Sequence, residues 1–63
     1  MDVIIGGGGS IFTFRPVTKK ARAWVDDNVE LESWQWLGDI FAVEHRYAVD
    51  IVDGMRDAGL EVA

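Results

Sequence analysis

Carboxylates and indoles are the groups in this chain whose spacing could do chemistry. Between Trp24 and Glu44 stand all three tryptophans, Trp24, Trp34 and Trp36, and six of the eleven acidic residues. Carboxylates at this density can trade protons, hold a hard cation, or present negative charge to a basic partner. The first two uses need several side chains converging on a pocket. A 63-residue domain has little volume for a pocket of the usual ~300 Å³ or more. Pairs such as Asp26/Asp27 and Asp50/Asp53 therefore read as solvated charge, and no cofactor is expected.

His45 is the one histidine, flanked by Glu44 and Arg46. It could act as a general base, but Ser10 and Ser33 both read as loop residues, so no nucleophile stands in a recognisable context. It reads as a polar residue at a helix N-terminus. With no cysteine and a single histidine the chain has no thiolate for metal and no disulfide. The glycines Gly6–Gly9 do not make a dinucleotide fingerprint: position 11 is Ile, and a strand rather than a helix follows. No phosphate-loop lysine follows them either. These readings point to a non-enzymatic protein.

Charge is divided along the chain. Residues 1–24 carry a net +3 and residues 25–63 a net −8, giving −5 overall. Nucleic-acid binders gain affinity from Lys and Arg on phosphates, and this chain has six such residues. Direct binding to nucleic acid is not expected. Trp34, Trp36, Phe12 and Phe14 could stack on bases as sheet aromatics do in RNA-recognition domains, but the Lys/Arg-Gly-aromatic string of those domains is missing. The aromatics read instead as core plus a partner interface, where Trp and Tyr are common anchors.

The elements that must position these residues follow from periodicity. Asp2–Ile5 and the glycine run read as a flexible N-terminal arm over residues 1–10, with Val3–Ile5 at most a loose edge strand. Residues 11–63 read as one compact α+β domain. Ile11–Arg15 alternates as a strand and Pro16 ends it. Thr18 is placed to cap a helix over Lys19–Asn28, with Val17, Ala21, Trp24 and Val25 on one face. Its early Lys and Arg and late Asp oppose the helix dipole. Ser33–Leu37 and Ile40–Glu44 alternate as two strands joined at Gly38-Asp39, which suits a type II′ turn. Helix follows over His45–Ala58 with the stripe Ala48, Ile51, Val52, Met55, and Gly59 is placed to close it. Leu60–Val62 reads as a last strand.

The order β-α-β-β-α-β predicts a ferredoxin-like fold: a four-stranded antiparallel sheet with two helices on one face. The other face would stay open, carrying one set of aromatics. A domain of about 60 residues buries only roughly 60% of its unfolded surface, so a homodimer through that face would add stability. No segment approaches the roughly 20 apolar residues that cross a bilayer. Residues 1–10 lack the basic start of a signal peptide, and a cytoplasmic location is expected.

Two acidic groups emerge on these elements. Asp26, Asp27, Glu30 and Glu32 cluster at the end of the first helix, and Asp50, Asp53 and Asp57 recur along the second. Such stripes are commonly solvated helix faces. The sharper reading is a surface presenting charge as a DNA duplex does, aimed at a basic groove, with Trp34 and Trp36 as anchors. In size, acidity and build the chain is similar to the small phage-encoded anti-CRISPR proteins. That resemblance implies a CRISPR effector in a host bacterial cell as partner and occlusion of its nucleic-acid-binding surface as mechanism. The alternative is a structural or regulatory small protein that self-associates through its open sheet face.

Overall fold

Phe14 and Phe41 lie opposite one another on the two central strands, with ring centroids 5.1 Å apart and planes 16° from parallel. Both are wholly shielded from solvent in the computed structural model, which describes residues 1–63. The elements are β1 (Val3–Gly8), β2 (Ile11–Pro16), α1 (Lys19–Asn28), a single 3-10 turn (Ser33–Gln35), β3 (Trp36–Leu37), β4 (Ile40–Glu44) and α2 (His45–Asp57). The strands form one sheet in the order β1-β2-β4-β3, with every neighbouring pair antiparallel.

Alternation sorts the strands into two faces. Val3, Ile5, Phe12, Phe14, Phe41 and Val43 share the inner face, where they meet Ala21 and Val25 of α1 and Ala48 and Met55 of α2. Both helices thus pack on one side of the sheet. No polar or charged side chain is buried, so the interior holds no group for chemistry. The outer face carries Ile4, Ile11, Thr13, Arg15, Leu37, Ile40 and Ala42. Every sheet aromatic is on the helix side, contrary to the expectation of aromatics on the open face. Rings that large add more stability when sandwiched between sheet and helices than when half-solvated.

The glycine-rich segment is a second departure. Val3–Gly8 is not an arm outside the domain but a strand paired with β2 from Val3↔Pro16 to Gly8↔Ile11. Ordering glycine is entropically costly, and the ladder together with burial of Val3 and Ile5 offsets that cost. Gly7 is required by geometry. Its φ is +84°, and a Cβ there would lie 2.7 Å from the backbone oxygen of Ile11. The tip, Gly9-Ser10, has positive φ only at glycine, as does the Gly38-Asp39 turn. Positive φ at the first central residue alone is the II′ pattern.

Because β1 takes the edge beside β2, the expected strand over Leu60–Val62 does not join the sheet. The chain order is therefore ββαββα. The C-terminal residues lie along the outside of β1, with one parallel bridge, Val3↔Val62. The amides of Asp2 and Val3 donate to Glu61 O, both at 3.0 Å, and Ala63 N donates to Val3 O at 3.0 Å. Half of an otherwise open sheet edge is covered in this way.

The helices begin and end as their sequences direct. Thr18 Oγ1 accepts from Ala21 N at 3.1 Å, the N-cap contact. At the end of α2 Leu60 N donates to Met55 O and Gly59 N to Arg56 O, both at 3.0 Å, with Gly59 at φ +85°. That is a Schellman closure, with Leu60 packed near Met55 in the core. Asp2 joins the two ends. Its Oδ2 accepts from the Glu61 backbone N–H and its Oδ1 from the Thr18 hydroxyl, each at 2.8 Å. Those two bonds, the backbone one foremost, hold its pKa below the usual aspartate value.

Two tests follow from this frame. Gly7→Ala should lower unfolding stability by roughly 1–3 kcal/mol through forced backbone strain. Gly8→Ala, where an added Cβ meets nothing within 4 Å, should change it by less than about 0.5 kcal/mol. Urea unfolding of the pair checks both. Because the Asp2 pKa is depressed in the folded state, its contribution is full above about pH 4 and is lost as pH falls through the folded value. Asp2→Asn should lower Tm at neutral pH, and its deficit against wild type should shrink as pH falls below 4.

Candidate functional site

The acidic end of the molecule is built by the last turn of α1, the connector that follows it, and the middle of α2. On α1, Ala21 and Val25 point inward, which leaves Asp26 and Asp27 exposed. The helix has no basic residue in its last turn. The partial negative charge of its C-terminus therefore adds to these carboxylates. In the connector, Val29 and Leu31 are half-buried, while Glu30 and Glu32 are exposed. Alternation in an extended segment thus turns both glutamates outward.

Trp24 sets the spacing of the two helices. It lies against Gly54 of α2 so closely that a Cβ at residue 54 would be 3.0 Å from the indole Cζ2. A glycine in mid-helix costs about 1 kcal/mol relative to alanine, and here it admits the indole. Beside this contact an open groove of about 560 Å³ runs between the connector and α2. Trp24, Val29, Leu31, Val43 and Ile51 make its apolar surface, and the exposed carboxylates Glu30 and Asp50 flank it. On the other side of the connector a second open groove, about 530 Å³, is lined by Asp26, Glu30, Glu32 and Trp36. The expectation that so small a domain lacks room for such hollows is corrected: an open groove lies on each side of the connector, whose Val29 and Leu31 pack on the core.

These two grooves bring together Asp26, Glu30, Glu32, Asp50 and Trp36. None of the four carboxylates is in an ion pair. The pairs present are the N-terminal ammonium with Glu61 at 3.0 Å, Arg15 with Asp39 at 3.7 Å and Arg46 with Glu44 at 3.6 Å. The remaining candidates lie elsewhere. Asp27 is exposed on α1 and lines neither groove. Asp53 lies on another side of α2, in a hollow of about 280 Å³ with Phe12, His45 and Arg56. Asp57 is exposed in the last turn of α2, two turns along from Asp50. A spacing of three residues on a helix rotates the side chain, so the expected single stripe along α2 divides.

Trp34 and Trp36 do not share a strand face. Only Trp36 and Leu37 pair with β4, and Ser33–Gln35 is a 3-10 turn. Gln35 accounts for the difference. Its side-chain oxygen accepts from Glu32 N at 2.8 Å, and its amide donates to Ala42 O at 3.2 Å. Local side-chain bonding of this kind competes with the sheet ladder. Trp36 is half-buried, edge-on to Phe41 with centroids 5.1 Å apart, while Trp34 is 79% exposed. Tyr47 and Gly54 also belong to the first groove and were not singled out from sequence, while Trp24 was read there only as part of the packed face of the first helix. The available signal was a glycine in the middle of α2, one position before the core residue Met55.

His45 is exposed, with its ring 5.6 Å from that of Phe12. No group of three or more His, Cys, Asp or Glu side chains is arranged to hold a metal ion. No helix is long and apolar enough to cross a membrane. No protein-family model matches the chain, and no curated protein or solved structure does.

The two tryptophans should separate in a denaturation experiment. Trp34→Ala should change unfolding free energy by less than about 0.5 kcal/mol, since the ring covers little. Trp36→Ala should cost about 2 kcal/mol, below the full core value because the ring is half-buried.

Proposed function

We propose that this protein is a small non-enzymatic binding module that offers its acidic end to a basic surface on a nucleic-acid-handling protein. The observation that carries this reading is the convergence of Asp26, Glu30, Glu32 and Asp50 around one connector, exposed and unpaired. Carboxylates outside ion pairs keep their charge available, and a negative field speeds encounter with a basic partner. Trp36 lines the same region and Trp34, two residues earlier in the chain, is exposed, so an aromatic anchor accompanies the charge. The narrowest form of the proposal is an anti-CRISPR of DNA-mimicking type, acting in the bacterial cytoplasm by occluding a nucleic-acid site on an effector complex. Asp27, Asp53 and Asp57 would extend the field rather than form its centre.

The architecture is read here as a variant of the ferredoxin-like plan. Its strands β2, β4 and β3 keep the adjacency of a split βαβ unit, and β1 stands at the edge where that plan puts its last strand.

One observation favours a second reading, self-association through the open sheet face. Ile4, Ile11 and Leu37 are exposed there, Leu37 at 83%. Leu37→Lys would dissociate such a dimer in sedimentation and leave a monomer unaffected.

The leading reading is tested with labelled protein titrated against CRISPR effector complexes at low and high salt. Capture should weaken with salt and be competed by duplex DNA. The variant Asp26→Lys/Glu30→Lys/Glu32→Lys/Asp50→Lys should bind at least about tenfold more weakly while keeping its circular dichroism spectrum. Equal binding by the folded variant would refute the proposal.

A further inference from the structure

The first groove has a composition that selects one kind of side chain. Its surface is mostly apolar, with the Asn28 and Gln35 amides among the lining, its two charges are both negative, and no cation lines it. A wholly apolar insert would leave Glu30 and Asp50 facing it without a partner, and an acidic one would be repelled. A group with an apolar stem and a cationic head meets both conditions. The aromatic lining narrows this to a planar cation. Trp24 and Tyr47 both line the groove, and a guanidinium stacks on such rings while pairing with carboxylates in its plane. The chain already makes this contact internally. Arg46 lies with its guanidinium carbon 4.9 Å from the Tyr47 ring centroid and is also paired with Glu44. Trp24 has no such cation over it, and Glu30 and Asp50 have no ion pair.

We infer that the groove between the connector and α2 receives a single arginine side chain from the partner protein, its stem against Val29, Leu31 and Ile51 and its guanidinium between Trp24, Glu30 and Asp50. The inference rests on the binding-module reading and names the residue that the acidic end recognises. Gly54 sets the depth of the pocket: it is the α2 position at which the backbone itself forms the wall beside the indole. The second groove has Trp36 and three carboxylates and no comparable apolar lining, so it contributes field rather than a seat.

The test is a nuclear magnetic resonance titration of the intact protein with three capped tripeptides: Gly-Arg-Gly, Gly-Lys-Gly and Gly-citrulline-Gly. The arginine peptide should shift the Trp24 indole, Asp50 and Gly54 signals, the lysine peptide should bind more weakly, and the citrulline peptide should leave them unmoved. Glu30→Gln/Asp50→Asn should weaken the arginine peptide about tenfold. Asp27→Asn/Asp57→Asn makes the same charge change outside the groove and should alter binding less than about twofold. All four sites are exposed, so neither pair should disturb folding. Citrulline or lysine binding as tightly as arginine, or equal weakening by the two variants, would overturn the arginine seat. Should the arginine peptide fail while salt-sensitive, DNA-competed effector capture persists, this inference alone falls. Should the peptide bind specifically while no effector is captured, the groove stands and the proposed class of partner falls.

Discussion

The stack of Phe14 on Phe41 across the two central strands is the contact on which the rest of the structure depends. Side chains alternate along a strand, so fixing one residue of β2 and one of β4 on the inner face fixes them all. A slip of one residue would turn Phe14 or Phe41 outward and Arg15 or Glu44 inward instead. With the register set, Phe12, Val43 and Trp36 also face the helices, and the core of a very small domain closes without a buried polar group. The acidic residues, excluded from that core, collect where the chain leaves it: at the end of α1, in the connector and along α2.

The two chain ends carry a second constraint. In a domain of about 60 residues, where the margin of stability is thin, a free sheet edge is a liability. Here β1 fills the edge beside β2, and the C-terminal residues lie along β1 in turn. Asp2 ties this layer to α1 through Thr18 and to Glu61 through a backbone amide. One half-buried residue, Asp2, thus connects the start of the chain, the cap of a helix and the end of the chain. Protonating it weakens all three at once. The acidic tract is remote from this knot in the chain, so its charges are free of that structural duty.

Much of this was legible in the sequence, and the exceptions share a cause. Lys19–Asn28 matches the expected helix because Thr18 and the Ala21, Trp24, Val25 spacing mark it locally, whereas Val17, expected on that face, precedes the cap and is exposed. The Gly38-Asp39 turn and the closing glycine of α2 were likewise local signals, since positive φ selects glycine. The sheet order and the place of Val3–Gly8 were not local. Four glycines read as an arm because their entropy argues against order, yet pairing with β2 and burial of Val3 decide the matter, and neither is visible in the segment itself. Ser33–Gln35 read as strand by alternation, until the Gln35 side chain engaged both Glu32 and Ala42. At the candidate site the identities of Asp26, Glu30, Glu32 and Asp50 were legible, but their convergence was not. It depends on Trp24 resting on Gly54, a contact between residues thirty positions apart.

The resulting molecule has two unlike surfaces. One is the outer sheet face, with scattered aliphatic side chains and a single ion pair. The other is the acidic end, grooved and aromatic, where Asp26, Glu30, Glu32 and Asp50 stand outside every ion pair. Affinity in small modules comes from a few desolvated anchors within a guiding field, and only the second surface combines the two. Amide hydrogen exchange of the protein, free and bound to a captured effector complex, tests that claim most directly. The account predicts that binding slows exchange in the connector and the middle of α2 and leaves β1 and β3 unchanged. Protection confined to β1, β3 and the outer sheet face would contradict it.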